Sequence, residues 1–186
     1  ALFEVLSLLP LGDPDAKARL DELARLLPHG DTRGKAAGIA RKDEVSGELT
    51  CNPGLFSLDA NGFEVTLDIR YPIGAKSAEI LADFARAAKL LAVSLKTDNP
   101  PHYVSPGSPL VKDLLRAYTD VTGKEGYCMS IGGGTYARDF EGGVSFGCMF
   151  PDGEDRMHKA DERARIDELL LNARIMARAL MYLACD

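Results

Sequence analysis

The fold is decided by residues 62–71, GFEVTLDIRY, in which apolar and polar residues alternate without a break. Neighbouring side chains in a β-strand point to opposite sides, so the apolar residues of this stretch would share one face. They are Phe63, Val65, Leu67 and Ile69. The opposite face is polar and ends at Arg70. The stretch therefore predicts a strand with one face on a core and one face open to solvent.

A second strand is predicted just before it, over residues 47–59. Asn52-Pro53-Gly54 interrupts this stretch and indicates a bulge or an edge position. Asp59-Ala60-Asn61-Gly62 carries the Asn-Gly signature of a hairpin turn. A helix over 77–91 would cover the sheet, and a short strand would follow at 93–96. This order predicts an α+β fold of two layers.

Residues 98–108 hold three prolines and are the best candidate for a domain boundary. After them we expect a helix over 109–122, strands over 127–131 and 144–150, and a long final helix. This spacing predicts a parallel α/β piece. The chain would thus contain two domains, residues 1–100 and 101–186.

The composition excludes several classes of protein. The 186 residues are 46% apolar and 27% charged, and the net charge is −6. No apolar run approaches a membrane span, and no Lys/Arg cluster suits a phosphate backbone, so we expect neither a membrane nor a nucleic acid as partner.

The four cysteines form no C-x-x-C pair and are interpreted as reduced thiols. The first ten residues have no basic segment typical of a secretory signal. These features predict a cytoplasmic protein.

The first candidate site is the glycine run of Gly132, Gly133 and Gly134 with Thr135, which directly follows the apolar stretch YCMSI. Three glycines would expose backbone N–H groups to an anionic ligand, and Thr135 would add a hydroxyl. The spacing also fits a dinucleotide fingerprint, but the next predicted strand comes too soon for a crossover helix. The alternative is a tight turn between a strand and a helix.

Two further residues could carry chemistry. His158 lies among acidic residues in a loop and is a candidate metal ligand. The alternative is a solvated acidic loop before a helix capped by Asp161. Arg70 could bind a carboxylate through both of its forked nitrogens, or it could pair with an acidic residue of the neighbouring strand.

Four motifs in order resemble the C-terminal half of the M20 metallopeptidases, in particular the dipeptidase V-like (PepV-like, Xaa-His dipeptidase) branch. They are LDIRYP at 67–72, YVSPGSPLVKDLL at 103–115, IGGGTYAR at 131–138 and FPDGEDRMHKADE at 150–162. The resemblance implies a catalytic α/β domain with two zinc ions and an antiparallel-sheet lid of ferredoxin-like, two-layer type. Residues 1–100 would be the second part of the lid, and residues 101–186 the last part of the catalytic domain.

The resemblance also implies roles for the candidate residues. Arg70 would bind the C-terminal carboxylate of a dipeptide, and Gly132, Gly133, Gly134 and Thr135 would line the substrate pocket. His158 would be one zinc ligand. The other ligands and the catalytic base are expected in an upstream half of the enzyme, so this fragment would lack catalytic residues, bind zinc weakly and be inactive alone. Its partners would be a dipeptide, that upstream half and, as an open possibility, a second copy. The alternative is a non-enzymatic lid-like module for binding or dimerisation.

Overall fold

The computed structural model describes residues 1–59, 61–147 and 149–185. The chain separates into two compact units, Ala1–His102 and Tyr103–Asp186. The division falls inside the proline-rich segment 98–108.

The first unit begins with two helices, α1 (Leu2–Ser7) and α2 (Pro14–Leu26). Asp13 caps α2, because its side chain accepts the N–H of Asp15 at 2.9 Å, and Pro14 occupies the first turn. The apolar face of α2 is buried in the core through Leu20, Leu23 and Leu26.

The strands confirm the predicted hairpin. β1 (Lys42–Asp43) pairs with β2 (Gly47–Glu48), and β3 (Thr50–Asp59) pairs with β4 (Gly62–Arg70), both antiparallel. The register shifts between Pro53 and Leu55, where the bulge was predicted. Asp59 holds the turn, since its carboxylate accepts the N–H groups of Asn61 and Gly62. Ala60 of the predicted turn lies outside the described residues.

Helix α3 (Ser77–Ala87) shares the core with α2 and with one face of the β3–β4 hairpin. It ends four residues earlier than predicted, because the carboxylate of Glu22 accepts the N–H groups of Lys89 and Leu90 at 2.8 and 2.7 Å. Burial acts to raise the pKa of Glu22, but these N–H groups outweigh it and the pKa is lowered. The predicted strand over 93–96 is wrong: this segment has no strand pairing in the described chain.

The loop after β4 is fastened to the β1–β2 hairpin by Asp43. Its carboxylate accepts the N–H of Val45, the N–H and hydroxyl of Ser46, and the N–H of Gly74. The Ser46 hydroxyl in turn accepts the N–H of Ile73 at 2.9 Å. These bonds, led by those from Ser46, lower the pKa of Asp43 to about 2. The chain leaving β4 is thus held at a fixed position.

We expect Asp43→Asn to lower the Tm of this chain at pH 7. A carboxylate whose pKa is lowered by folding contributes fully above its unfolded pKa, near 4, and loses that contribution as the pH falls towards about 2. The difference in Tm between wild type and Asp43→Asn should therefore be constant from pH 7 to about 5 and shrink below about 4. Thermal unfolding followed by circular dichroism measures it, with Glu44→Gln on the same hairpin as the charge-matched control. A difference that does not change with pH would contradict this role.

The second unit is built on two helices, α4 (Pro109–Thr122) and α5 (Ile166–Ala184). Ser108 caps α4 by accepting the N–H of Val111 at 3.3 Å, and Gly123 ends it in the left-handed conformation, with φ 69°. The helices pack through Leu114, Ala117 and Ala179. A single 3₁₀ turn, Tyr136–Asp139, lies between them.

The parallel α/β piece predicted for this unit is wrong for the described residues. Segments 127–131 and 144–150 have no strand pairing there, and the two sheets of the described chain are both antiparallel hairpins of the first unit. Cys148, inside the second segment, lies outside the described residues. A strand needs a neighbour for its N–H and C=O groups, and a hydrophobic pattern does not show whether one is present. Tyr127, Met129 and Ile131 are each more than half exposed.

Among the described residues, the structure has no helix that is long and apolar enough to cross a membrane.

Candidate functional site

Arg70 is the last residue of β4 and lies opposite Thr50 of β3. Its guanidinium bonds to the carboxylate of Asp68, two residues earlier on the same face, at 3.1 Å. The side chains are 53% and 54% exposed. The structure thus pairs Arg70 with an acid of its own strand. An exposed ion pair of this kind is weak, about 0–1 kcal/mol, so a stronger carboxylate ligand can displace Asp68.

The face of the hairpin behind Arg70 is buried and chemically inert. Cys51 lies opposite Ile69 there and is 2% exposed. Burial, together with the nearby charges of Asp31 and Asp68, raises the pKa of its thiol to about 11. The thiol stays protonated at neutral pH and is not a nucleophile.

A small polar cluster next to Arg70 was not found by sequence reasoning. Asp98 accepts the hydroxyls of Tyr71 at 2.7 Å and of Ser77 at 2.6 Å. These two bonds lower the pKa of Asp98, while burial and the bond to Asp98 raise the pKa of Tyr71. The cluster ties the end of β4 to the first residue of α3. It could not be found from sequence, because its members are 6 to 27 residues apart.

The glycine run of the second unit has open space around its backbone. A methyl group built on Gly132 would meet no described atom within 4 Å, and one built on Gly134 would meet the Arg138 guanidinium at 3.7 Å. Steric crowding therefore does not require glycine at these positions. A backbone that a ligand contacts directly would favour glycine there. Thr135, which ends the run, accepts a hydrogen bond from the hydroxyl of Ser145 at 2.8 Å. Ser145 is a second residue that sequence reasoning missed.

His158 lies in an exposed loop with an unusual backbone. His158 and Asp161 have φ of 60° and 59°, the left-handed region that residues with a Cβ rarely adopt. The N–H of His158 bonds to the Glu162 carboxylate at 3.3 Å. Helix α5 begins at Ile166 with Arg165 at its cap, so the predicted cap at Asp161 is wrong.

The acidic residues around His158 are mostly paired with neighbouring bases. Asp152 bonds to Lys124, Glu154 to Arg156, and Asp161 to Arg163, at 2.5–2.8 Å. The bond to Lys124 lowers the pKa of Asp152. Within the described parts of the chain, no group of three or more His, Cys, Asp or Glu side chains could hold a metal ion. The residues present therefore do not fit a zinc site by themselves, and His158 stays a predicted ligand.

The first unit contains an H-x-D triplet, the spacing that the resemblance to the M20 metallopeptidases implies for a zinc-ligand pair, at His29-Gly30-Asp31. Its acid is engaged in a turn, because the Asp31 carboxylate accepts the N–H groups of Arg33 and Ala36. Burial acts to raise the pKa of Asp31, and the surrounding N–H groups lower it overall. We interpret the triplet as structural.

The second unit also contains an apolar groove of about 400 Å³ between α4, α5 and segment 143–146. Its lining includes Leu110, Val144, Met176 and Leu183. No charged side chain lies among the described lining residues, so the groove offers no group for acid–base chemistry. The predicted site residues are divided between the units, with Arg70 in the first and the glycine run, Thr135 and His158 in the second.

Residues 20–182 match the model of peptidase family M20/M25/M40. The chain is 44% identical over 156 residues to a Bacillus subtilis protein named "Putative dipeptidase YtjP", with 83% of this chain and 34% of the relative covered. It is 36% identical over 160 residues to the Beta-Ala-Xaa dipeptidase of Lactobacillus delbrueckii subsp. lactis, covering 85% and 34%. A Staphylococcus aureus (strain MRSA252) protein named as a dipeptidase is 34% identical over 177 residues, covering 94% and 38%.

The chain thus spans about a third of the length of the curated relatives it matches. The family match covers most of the chain and includes Arg70, the glycine run and His158. The chain belongs to peptidase family M20/M25/M40.

Proposed function

We propose that this chain is the C-terminal part of a zinc-dependent dipeptidase of the PepV-like branch. Residues 1–100 would be the second part of its lid, and residues 101–186 the last part of its catalytic domain. Relatives named as dipeptidases support the activity, and their greater length supports the view that the chain works within a larger polypeptide. The described cysteines are free, which supports a cytoplasmic location.

The observation that carries the proposal is the exposed guanidinium of Arg70 at the end of a fixed strand. A free dipeptide differs from an internal peptide segment by a carboxylate close to the scissile bond. A planar guanidinium can donate two parallel hydrogen bonds to that carboxylate. One face of its strand packs on the core through Ile69, next to the buried Cys51. The loop that follows the strand is held by hydrogen bonds to Asp43 and Asp98. Arg70 would therefore favour substrates whose C-terminal carboxylate lies at one fixed distance from the scissile bond.

The second unit would supply the other contacts with the substrate. Gly132, Gly133 and Gly134 are exposed, and the backbone N–H groups of a glycine run suit a carbonyl or carboxylate oxygen. The Thr135 hydroxyl lies at the end of this run. His158 would contribute one imidazole to a site whose other ligands and general base come from the upstream half of the enzyme. Zinc would supply Lewis-acid chemistry there.

The test is hydrolysis by the complete polypeptide that contains this chain. We expect it to cleave dipeptides with a free C-terminal carboxylate and to cleave their C-terminal amides far more slowly. Chelation of metal should abolish the activity, and added zinc should restore it. A complete polypeptide that binds dipeptides or self-associates without cleaving any would instead support the non-enzymatic lid-like module.

A further inference from the structure

We propose that Ser145 is a positioning residue for substrate binding: its hydroxyl bonds to Thr135 and thereby holds the glycine run and the Thr135 hydroxyl in place. The inference rests on the proposed function, because it concerns the same pocket. It adds a residue that none of the four family-like motifs contains. The third motif ends at residue 138 and the fourth begins at residue 150.

The position of Ser145 is fixed by its two neighbours. Val144 and Phe146 pack against the cluster that joins α4 to α5. Ser145 lies between these two residues in the sequence, and its hydroxyl oxygen lies 2.8 Å from that of Thr135. The hydroxyl is therefore carried on a segment anchored to the two main helices of the unit.

The glycine run needs such an anchor because it has little side-chain packing of its own. Glycine loses more conformational entropy than any other residue when its backbone is ordered. Methyl groups built on Gly132 or Gly133 would meet no described atom closer than 4.0 Å. A hydrogen bond at the end of the run limits its positions before substrate arrives, and this pre-organisation lowers the cost of binding.

The bond also orients the chemistry of Thr135. One hydrogen bond joins the two hydroxyls, and in the arrangement where Ser145 donates to Oγ1 of Thr135 the hydrogen of the Thr135 hydroxyl is left to donate to an acceptor. Both residues are exposed, so a ligand can reach this hydroxyl. The acceptor that fits is a carbonyl or carboxylate oxygen of a dipeptide. A donor already engaged in this way is polarised and donates more strongly.

The experiment compares Ser145→Ala, Ser145→Thr and the control Ser130→Ala in the complete dipeptidase. Ser130 is an exposed serine on the other side of the glycine run and is not part of the Ser145–Thr135 contact. We expect Ser145→Ala to raise KM for a dipeptide about three- to tenfold, the range of one hydrogen bond, with kcat within about twofold. Ser145→Thr keeps the hydroxyl and should restore KM, and Ser130→Ala should match wild type.

A double-mutant cycle separates positioning from general stability. If Ser145 acts through Thr135, Ser145→Ala should raise KM much less in a Thr135→Val background than in wild type. An active wild type with unchanged KM in Ser145→Ala, or with fully additive effects of the two substitutions, would overturn the role of Ser145 and leave the dipeptidase proposal intact. A wild type that cleaves no dipeptide would instead overturn the proposed function.

Discussion

Arg70→Ala should lower kcat/KM of the proposed dipeptidase, as the complete polypeptide, for a free dipeptide by about 10- to 150-fold. This range corresponds to the ~1.5–3 kcal/mol of hydrogen bonds to a charged group. The guanidinium lies at the end of β4 with half of its surface exposed, so it can meet a substrate carboxylate without rearrangement of the strand. Folding should change little, since the side chain is about half exposed and its ion pair with Asp68 is weak. Kinetics with a dipeptide and its C-terminal amide measure the effect.

Three comparisons distinguish carboxylate binding from a structural role. The loss in Arg70→Ala should be much smaller for the amide, which has no carboxylate to bind. Arg70→Lys should recover only part of the activity, because an ammonium restores the positive charge but not the two parallel hydrogen bonds that a planar guanidinium donates to a carboxylate. Asp68→Asn removes the ion pair but keeps the guanidinium, so it should retain activity on the free dipeptide. Equal losses for acid and amide, or the same loss in Asp68→Asn, would make Arg70 structural.

The first unit could be predicted from sequence because its signals are local. Period-two alternation over 62–71, the Asn61-Gly62 turn and the Pro53 interruption each report on adjacent residues, and the structure has the hairpin, turn and bulge at those positions. The same alternation placed Arg70 on the polar face with Asp68. The pairing of Arg70 with Asp68, an acid of its own strand, depends on side-chain rotamers, which the pattern does not contain.

The second unit was predicted less well because strands depend on distant partners. Helices α4 and α5 satisfy their own backbone groups, and both were predicted from their periodicity, although the cap expected at Asp161 for α5 was wrong. Segments 127–131 and 144–150 have apolar residues suited to strands, but the described chain gives them no neighbouring strand. The contacts of Asp98 and Ser145 were missed for a related reason, since each joins residues that are close in space and separated in sequence.

The isolated 186-residue chain should have no detectable dipeptidase activity and should bind zinc only weakly. A zinc site in a protein takes at least three ligands held together, and a catalytic site also needs a general base. His158 provides one imidazole, and the acids beside it are engaged by Lys124, Arg156 and Arg163. In the described chain no group of three or more potential ligands lies together around His158, so we expect no tight site from this loop alone. Dipeptide hydrolysis with and without added zinc, together with calorimetric titration of zinc, measures both expectations.

His158→Ala provides the matched control for the expectation that the isolated chain binds zinc only weakly. In the isolated chain it should reduce the weak zinc binding further, while in the complete enzyme it should abolish metal-dependent hydrolysis because one ligand of a shared site is lost. If zinc binding by the isolated chain is unchanged in His158→Ala, its residual affinity comes from other residues. Zinc-dependent cleavage of a dipeptide by the purified wild-type chain would show that the 186 residues contain a full catalytic set, and the proposal that an upstream half supplies the remaining ligands and the base would then be wrong.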